Sequence, residues 1–138
     1  MGASDTTLFS IIERVDLKPD KRVNMIALAK IGKTYIIGRN NYLSKPKEKF
    51  GYPSISGIHA ELDLYRKIVN MGFEKEKIDF IFVFGRRGEY LRNTKPCVYC
   101  ANIFRNLKFK QIVYFQNGNL VKKSKKEFFE TEVFKEYY

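Results

Sequence analysis

The 138-residue sequence has no run of about 18 apolar residues, the length a helix needs to cross a bilayer. The best stretch, Ile78 to Gly85, is interrupted by Asp79. No basic segment followed by an apolar stretch and a small-residue cleavage site opens the chain, so the expectation is a cytoplasmic protein with no membrane partner. Gly2 to Thr6 fits only the loose pattern for myristoylation. No internal repeat, proline-rich linker or serine–glycine tract divides the sequence, and residues 1–138 are expected to form one domain. With 44% hydrophobic and 15% aromatic residues that domain can bury a core. Carboxylates are scarce: 15 Asp and Glu stand against 26 Lys and Arg, a net charge of +11. That balance favours polyanionic partners such as nucleic acid or nucleotides. A composition rich in Lys, Asn, Ile, Phe and Tyr is also what AT-rich coding produces, so charge alone does not assign a role.

The hydropathy pattern alternates helix and strand. Thr6 to Asp16 reads as a helix, with Leu8, Ile11, Ile12 and Val15 at helical spacing and Asp5 as its N-cap. Val23 to Lys30 and Thr34 to Gly38 read as a hairpin turning at Ile31-Gly32-Lys33. Residues 42–57 show no periodicity and read as a long loop, a feature more often functional than decorative. A second helix is expected from near Ile58 to Asn70 or Met71, with Leu62, Tyr65 and Val69 facing inward and Gly72 stopping it. Ile78 to Phe84 reads as a central strand covered on both faces. Pro96 opens a third helix running to about Leu107. Gln111 to Phe115 and Leu120 to Lys123 are strands joined at Asn117-Gly118. That link is far shorter than the dozen or so residues a parallel crossover needs, so the last two strands are expected to be antiparallel neighbours. The tail from Lys125 carries Phe129, Val133 and Tyr137 at helical spacing. The pattern describes a layered α/β sandwich around one sheet of about five strands.

Groups able to do chemistry are few. The one histidine is His59, in His59-Ala60-Glu61, and the two cysteines are Cys97 and Cys100, in Pro96-Cys97-Val98-Tyr99-Cys100. The cysteines are three apart and share one helical face. Residues two apart do not, so His59 and Glu61 can converge only at a helix end, where the positive end of the dipole also lowers a thiol pKa. One imidazole and two thiolates make a sensible zinc set with a fourth position left for water. Glu61 then stands beside that water without being a ligand. A Cys-x-x-Cys can equally be a redox pair or part of a structural zinc site, and a lone histidine is often a core or surface residue.

His-x-Glu followed by Pro-Cys-x-x-Cys is the signature of zinc deaminases. From about residue 6 to residue 123 the chain resembles the cytidine and deoxycytidylate deaminase-like superfamily. The resemblance implies a cytidine-deaminase-like three-layer α/β/α sandwich, a single deaminase domain, and Zn2+ held by His59, Cys97 and Cys100. It implies that Glu61 is catalytic, taking the water's proton, protonating N3 of cytosine, and then delivering a second proton to the departing amino group. The reaction is hydrolysis of a cyclic amidine C–N bond, cytosine to uracil. Gly38-Arg39-Asn40 is similar to the family's Gly-x-Asn, which makes Asn40, together with Ala60, a substrate-binding residue. Residues around Cys100 are similar to the deoxycytidylate and tRNA-adenosine deaminase branch, whereas the closing hairpin is more like the cytidine-deaminase arrangement.

Basic and aromatic residues near these motifs suggest nucleic-acid contacts: Lys45, Lys47, Lys49 and Tyr52 in the long loop, Arg86 and Arg87 after the central strand, and Arg92 before the cysteine helix. A solvated Lys-rich surface is the plain alternative for each segment. Single-stranded DNA is the favoured substrate, a free cytosine nucleotide the alternative. A tRNA adenosine deaminase and a zinc-stabilised nucleic-acid-binding module without turnover rank lower.

Overall fold

The computed structural model describes residues 3–14, 24–40, 59–87, 90–91 and 93–131. The order is α1 (Asp5–Arg14), β1 (Asn24–Ile31), β2 (Thr34–Arg39), α2 (Ala60–Asn70), β3 (Lys77–Arg87), β4 (Tyr90–Leu91), α3 (Val98–Phe104), β5 (Lys108–Gln116), β6 (Asn119–Ser124) and α4 (Lys125–Thr131). Five strands lie side by side as β2-β1-β3-β5-β6, and the two-residue β4 pairs with the far end of β3. The last two strands are antiparallel, as their short link requires, with Gln116 opposite Asn119. Asn117 and Gly118 both take positive φ (52° and 79°), the mirror-image turn whose twist matches the flanking strands.

Side chains alternate across the sheet and divide the core into two layers. On one face Ile26, Leu28, Phe80, Phe82, Phe84, Val113 and Phe115 pack under Leu8 and Ile12 of α1. On the other, Ala27, Ala29, Ile81, Val83, Ile112 and Tyr114 meet α2, α3 and α4 through Leu64, Ile68, Ala101, Phe104 and Phe128. This is the expected α/β/α sandwich. The nearly continuous apolar run of β3 follows from burial on both faces, with residues 78 and 80–84 all buried. No helix among the described residues is long and apolar enough to cross a membrane.

Some boundaries differ from the sequence reading. Helix α1 is capped by Ser4, whose Oγ accepts from Thr7 N at 3.2 Å, and Asp5 instead pairs with Lys122 of β6. In α2 the inward stripe is Leu64 and Ile68 beside Leu62, while Val69 is 38% exposed. The helix starts at Ala60, two residues later than expected. It ends in paired bonds from Gly72 N to Val69 O and Phe73 N to Ile68 O, with Phe73 packed back on the core. Helix α3 begins at Val98, with Pro96 outside it, and stops at Phe104 because Leu107 N already turns back to Phe104 O. Helix α4 starts in a reciprocal cap: Ser124 N donates to Glu127 Oε1, and Glu127 N donates to Ser124 Oγ. Val133 and Tyr137 lie outside the described residues.

The topology decides where helices begin. β2 and β3 are both antiparallel to β1, so they run the same way, and Ile26 pairs with Arg39 on one side and Phe84 on the other. The segments that follow β2 and β3 therefore leave the sheet at one end, and α2 and α3 return from it. α2 lies unusually close to β2. A Cβ on Gly38 would sit 2.4 Å from both Ala60 O and Leu64 N, so the glycine is needed for backbone-to-backbone contact. On the outer side of β2, Asp63 Oδ2 accepts from Arg39 N at 2.9 Å, and Lys67 Nζ donates to Ile37 O at 2.8 Å.

Two outcomes follow. Gly38→Ala should lose about 3 kcal/mol or more in urea unfolding, the upper range for overpacking against atoms that cannot yield; an unchanged midpoint would refute the contact. The bonds from Ser124, backbone first and then side chain, hold the Glu127 carboxyl below its usual value of 4.5. A carboxyl depressed by folding stabilises the native state above its unfolded pKa and loses that effect as pH falls through the folded value. The stability gap between wild type and Glu127→Ala should thus be full near neutrality and close in acid, read by circular dichroism over a pH series.

Candidate metal and catalytic site

His59 and Cys97 occupy equivalent places, each the extended residue immediately before a helix. His59 (φ −74°, ψ 154°) precedes α2, and Cys97 (φ −72°, ψ 171°) precedes α3. Because both helices start at one end of the sheet, residues 38 positions apart in the chain come together. His59 Nδ1 lies 3.6 Å from Cys97 Sγ and 3.4 Å from Cys100 Sγ. The three donor atoms all fall within 4.8 Å of one another. A tetrahedral zinc with bonds of about 2.3 Å to sulfur and about 2.0 Å to nitrogen would hold its nitrogen and sulfur ligands about 3.6 Å apart. The imidazole and both thiols meet that spacing, so the residues fit the ion that the donor chemistry implies.

Packing holds the group in place. Cys97 and Cys100 are buried with Leu62 of α2 and Ile103 of α3, and Tyr65 and Tyr99 close the edge of this cluster. His59 is half-buried. Its backbone is extended, and Glu61, two residues on, lies inside the first turn. Glu61 is one of two buried polar residues among those described, at 6% exposure.

Electrostatics reinforce the arrangement. Burial pushes the Glu61 carboxyl above the ordinary carboxylate range and the Cys97 sulfur adds to this, against smaller opposing effects of His59, its own backbone N–H and Cys100. A bond from Cys100 holds the Cys97 thiol down at about 4, against burial and with help from His59. Burial works to lower the His59 pKa, but the bond to Cys97 and the nearby charges of Glu61 and Cys97 leave it raised. The result is a thiol of lowered pKa and an imidazole placed together, with a carboxyl of raised pKa alongside.

Asn40 arrives at the same end of the sheet as the donor group. Its Oδ1 accepts from Met25 N at 2.9 Å, closing the mouth of the β1–β2 hairpin. Ala60 is buried at the first position of α2, its carbonyl against Gly38. The loop at 42–57 with Lys45, Lys47, Lys49 and Tyr52 lies outside the described residues, as do Arg92 and the side chains of Arg86 and Arg87. Sequence reasoning passed over Thr94. It is the other buried polar residue, 2% exposed and three positions before Cys97. The available signal was a hydroxyl between a polar turn and a Pro-Cys step.

Among solved structures the chain is similar to a cytidine deaminase from Burkholderia pseudomallei, with a TM-score of 0.57 and 15% identity over 81% of this chain and 83% of that one. The likeness establishes a cytidine-deaminase-like fold. No protein-family model and no curated protein matches the sequence.

The donor geometry makes a direct prediction. Purified protein should bind zinc stoichiometrically, and His59→Ala or Cys100→Ser should lose it. Stripping the metal should lower unfolding stability, by about 2.7 kcal/mol when free zinc had stood at 100 times its dissociation constant. Full zinc content in Cys100→Ser, by elemental analysis, would contradict the assignment.

Proposed function

We propose that the chain is a zinc-dependent hydrolytic deaminase that converts cytosine to uracil, with single-stranded DNA as its first substrate. The observation that carries the reaction type is the buried Glu61, its carboxyl pKa raised by burial, beside an imidazole and two thiols at facing helix starts. A structural metal site has no use for such a carboxyl.

His59, Cys97 and Cys100 would hold the zinc. When bound, the ion supplies Lewis acidity that brings the pKa of a coordinated water toward neutrality. Glu61 then does the proton work. Its carboxylate takes a proton from the attacking water and passes it to N3 as the C4–O bond forms; it then takes the proton of the new C4 hydroxyl and gives it to the amino group, so that C4 becomes a carbonyl as the C4–N bond breaks and ammonia leaves. One carboxyl serves as base and then acid, a cycle suited to a pKa raised toward the working pH. Leu62 and the tyrosines at positions 65 and 99 limit water around the cysteines, which strengthens these interactions. Asn40, at the same sheet end, would orient the nucleotide's sugar or base, with Ala60 against the base.

The substrate is argued from charge. Residues 90–126 carry nine Lys and Arg and no Asp or Glu. This 37-residue stretch, which contains the cysteine pair, is therefore uniformly cationic in sequence, which suits a phosphodiester backbone and predicts affinity falling steeply with salt. A second reading has its own support. The antiparallel β5–β6 pair and the named activity of the Burkholderia pseudomallei neighbour favour a free cytosine nucleoside or nucleotide as substrate.

One assay decides between them. Zinc-loaded protein is offered cytidine, deoxycytidylate, single-stranded DNA, double-stranded DNA and RNA, and uracil is scored. Turnover of single-stranded oligonucleotides is expected; turnover of free nucleotides alone would replace the first reading by the second. Glu61→Gln should cut turnover by about 10²-fold or more while zinc content and melting temperature stay at wild type. Retained activity would remove Glu61 from the proton path.

A further inference from the structure

Parallel strands β3 and β5 pair in register from Lys77 opposite Lys108 to Phe82 opposite Val113. Carried forward toward the metal site, that register would place a rung from Phe115 N to Val83 O. A hydroxyl stands there instead. Thr94 Oγ1 donates to Val83 O at 2.7 Å and accepts from Phe115 N at 2.9 Å. Thr94 N donates in turn to Phe115 O at 2.8 Å. One residue earlier, Asn93 Oδ1 accepts from Asn117 N at 2.8 Å, tying the segment to the β5–β6 turn.

The segment leading to the cysteines is thus anchored on β5 where β3 has parted from it. Only Lys95 and Pro96 separate the anchor from Cys97. Pro96 is buried and its ring fixes φ, so the connection has little slack. A hydroxyl is suited to the place because a single atom both donates and accepts. With a methyl in its stead, the Val83 carbonyl and Phe115 amide would be left unpaired in the core. The strands would then close on each other or the segment would shift, and Cys97 would move with it.

We propose that Thr94 is the positioning residue of the metal centre: its hydroxyl, inserted between two parallel strands, sets the distance from Cys97 Sγ to His59 Nδ1. The proposal rests on the reading of His59, Cys97 and Cys100 as zinc ligands. Metal sites tolerate only a few tenths of an ångström in ligand placement, so an anchor three positions from a ligand acts on affinity directly.

The test compares Thr94→Val with Thr94→Ser in the full chain. Zinc affinity is measured by chelator competition, and the absorption spectrum of the cobalt-loaded protein reports ligand geometry. Thr94→Val should weaken zinc about 10- to 100-fold, the usual effect of removing a group that supports a ligand, and should alter the cobalt spectrum. Thr94→Ser, which keeps the hydroxyl, should restore both. Wild-type zinc affinity in Thr94→Val would overturn the positioning role while leaving the metal site standing. Failure of the unaltered chain to bind zinc would remove the metal site and this role together. Ser124→Ala, a destabilising change at the cap preceding α4, separates placement from general loss of stability. If it weakens zinc as much as Thr94→Val, the proposal fails. If Thr94→Val does not fold, Asn93→Ala takes its place by opening only the outer bond. It should weaken zinc measurably, and unchanged affinity there would overturn the proposal.

Discussion

The chemistry of this chain depends on two helix starts held face to face at one end of a sheet. Each start presents the residue just before the helix, still extended. That is how an imidazole from one half of the chain and sulfur from the other come within about 3.6 Å. The arrangement is not a local property of either helix. It follows from β2 and β3 both opposing β1, which sends the two following segments out on the same side. A change that moved either helix by one residue would separate the donors, whatever the donors were.

Neither helix is self-sufficient. α3 has seven residues, below the length at which an isolated helix persists in water. Its order comes from Ile103 and Phe104 beneath it, from the Cys–Leu62 contact, and from the Thr94 anchor ahead of it. α2 is longer, but it is located by the missing side chain at Gly38, which lets its backbone rest on the strand. The site is therefore assembled from tertiary contacts, and its electrostatics follow. Burial raises the Glu61 carboxyl, and the neighbouring first turn of α2 packs through Leu62 against the cysteines and Ile103.

Much of this was legible in the sequence, for identifiable reasons. Chemically competent residues are so few that His59, Glu61, Cys97 and Cys100 stand out, and their spacings confine them to helix ends. Asn117-Gly118 specified both a turn and the antiparallel pairing it closes. The apolar run of β3 gave its double burial. What was illegible depends on partners far away in the chain. Gly38 could be read as part of a nucleotide-contacting motif, and its packing against Leu64 is invisible without the fold. Thr94 looks like any loop threonine until β5 is laid beside it. Val69 fits the helical stripe by spacing, yet the face that meets the sheet carries Leu64 and Ile68, which leaves Val69 in solvent. Ser4 outcompeted Asp5 as a cap once Asp5 had Lys122 to pair with.

The outer border of β2 has a consequence for how this protein behaves among copies of itself. A strand at the rim of a sheet offers amide and carbonyl groups that a stray chain can template on, the first step of edge-to-edge aggregation. Here α2 spends Asp63 on the Arg39 amide and Lys67 on the Ile37 carbonyl, so the rim nearest the metal site is already satisfied from within. Strand addition is blocked at the place where it would have jammed the donor-bearing helix.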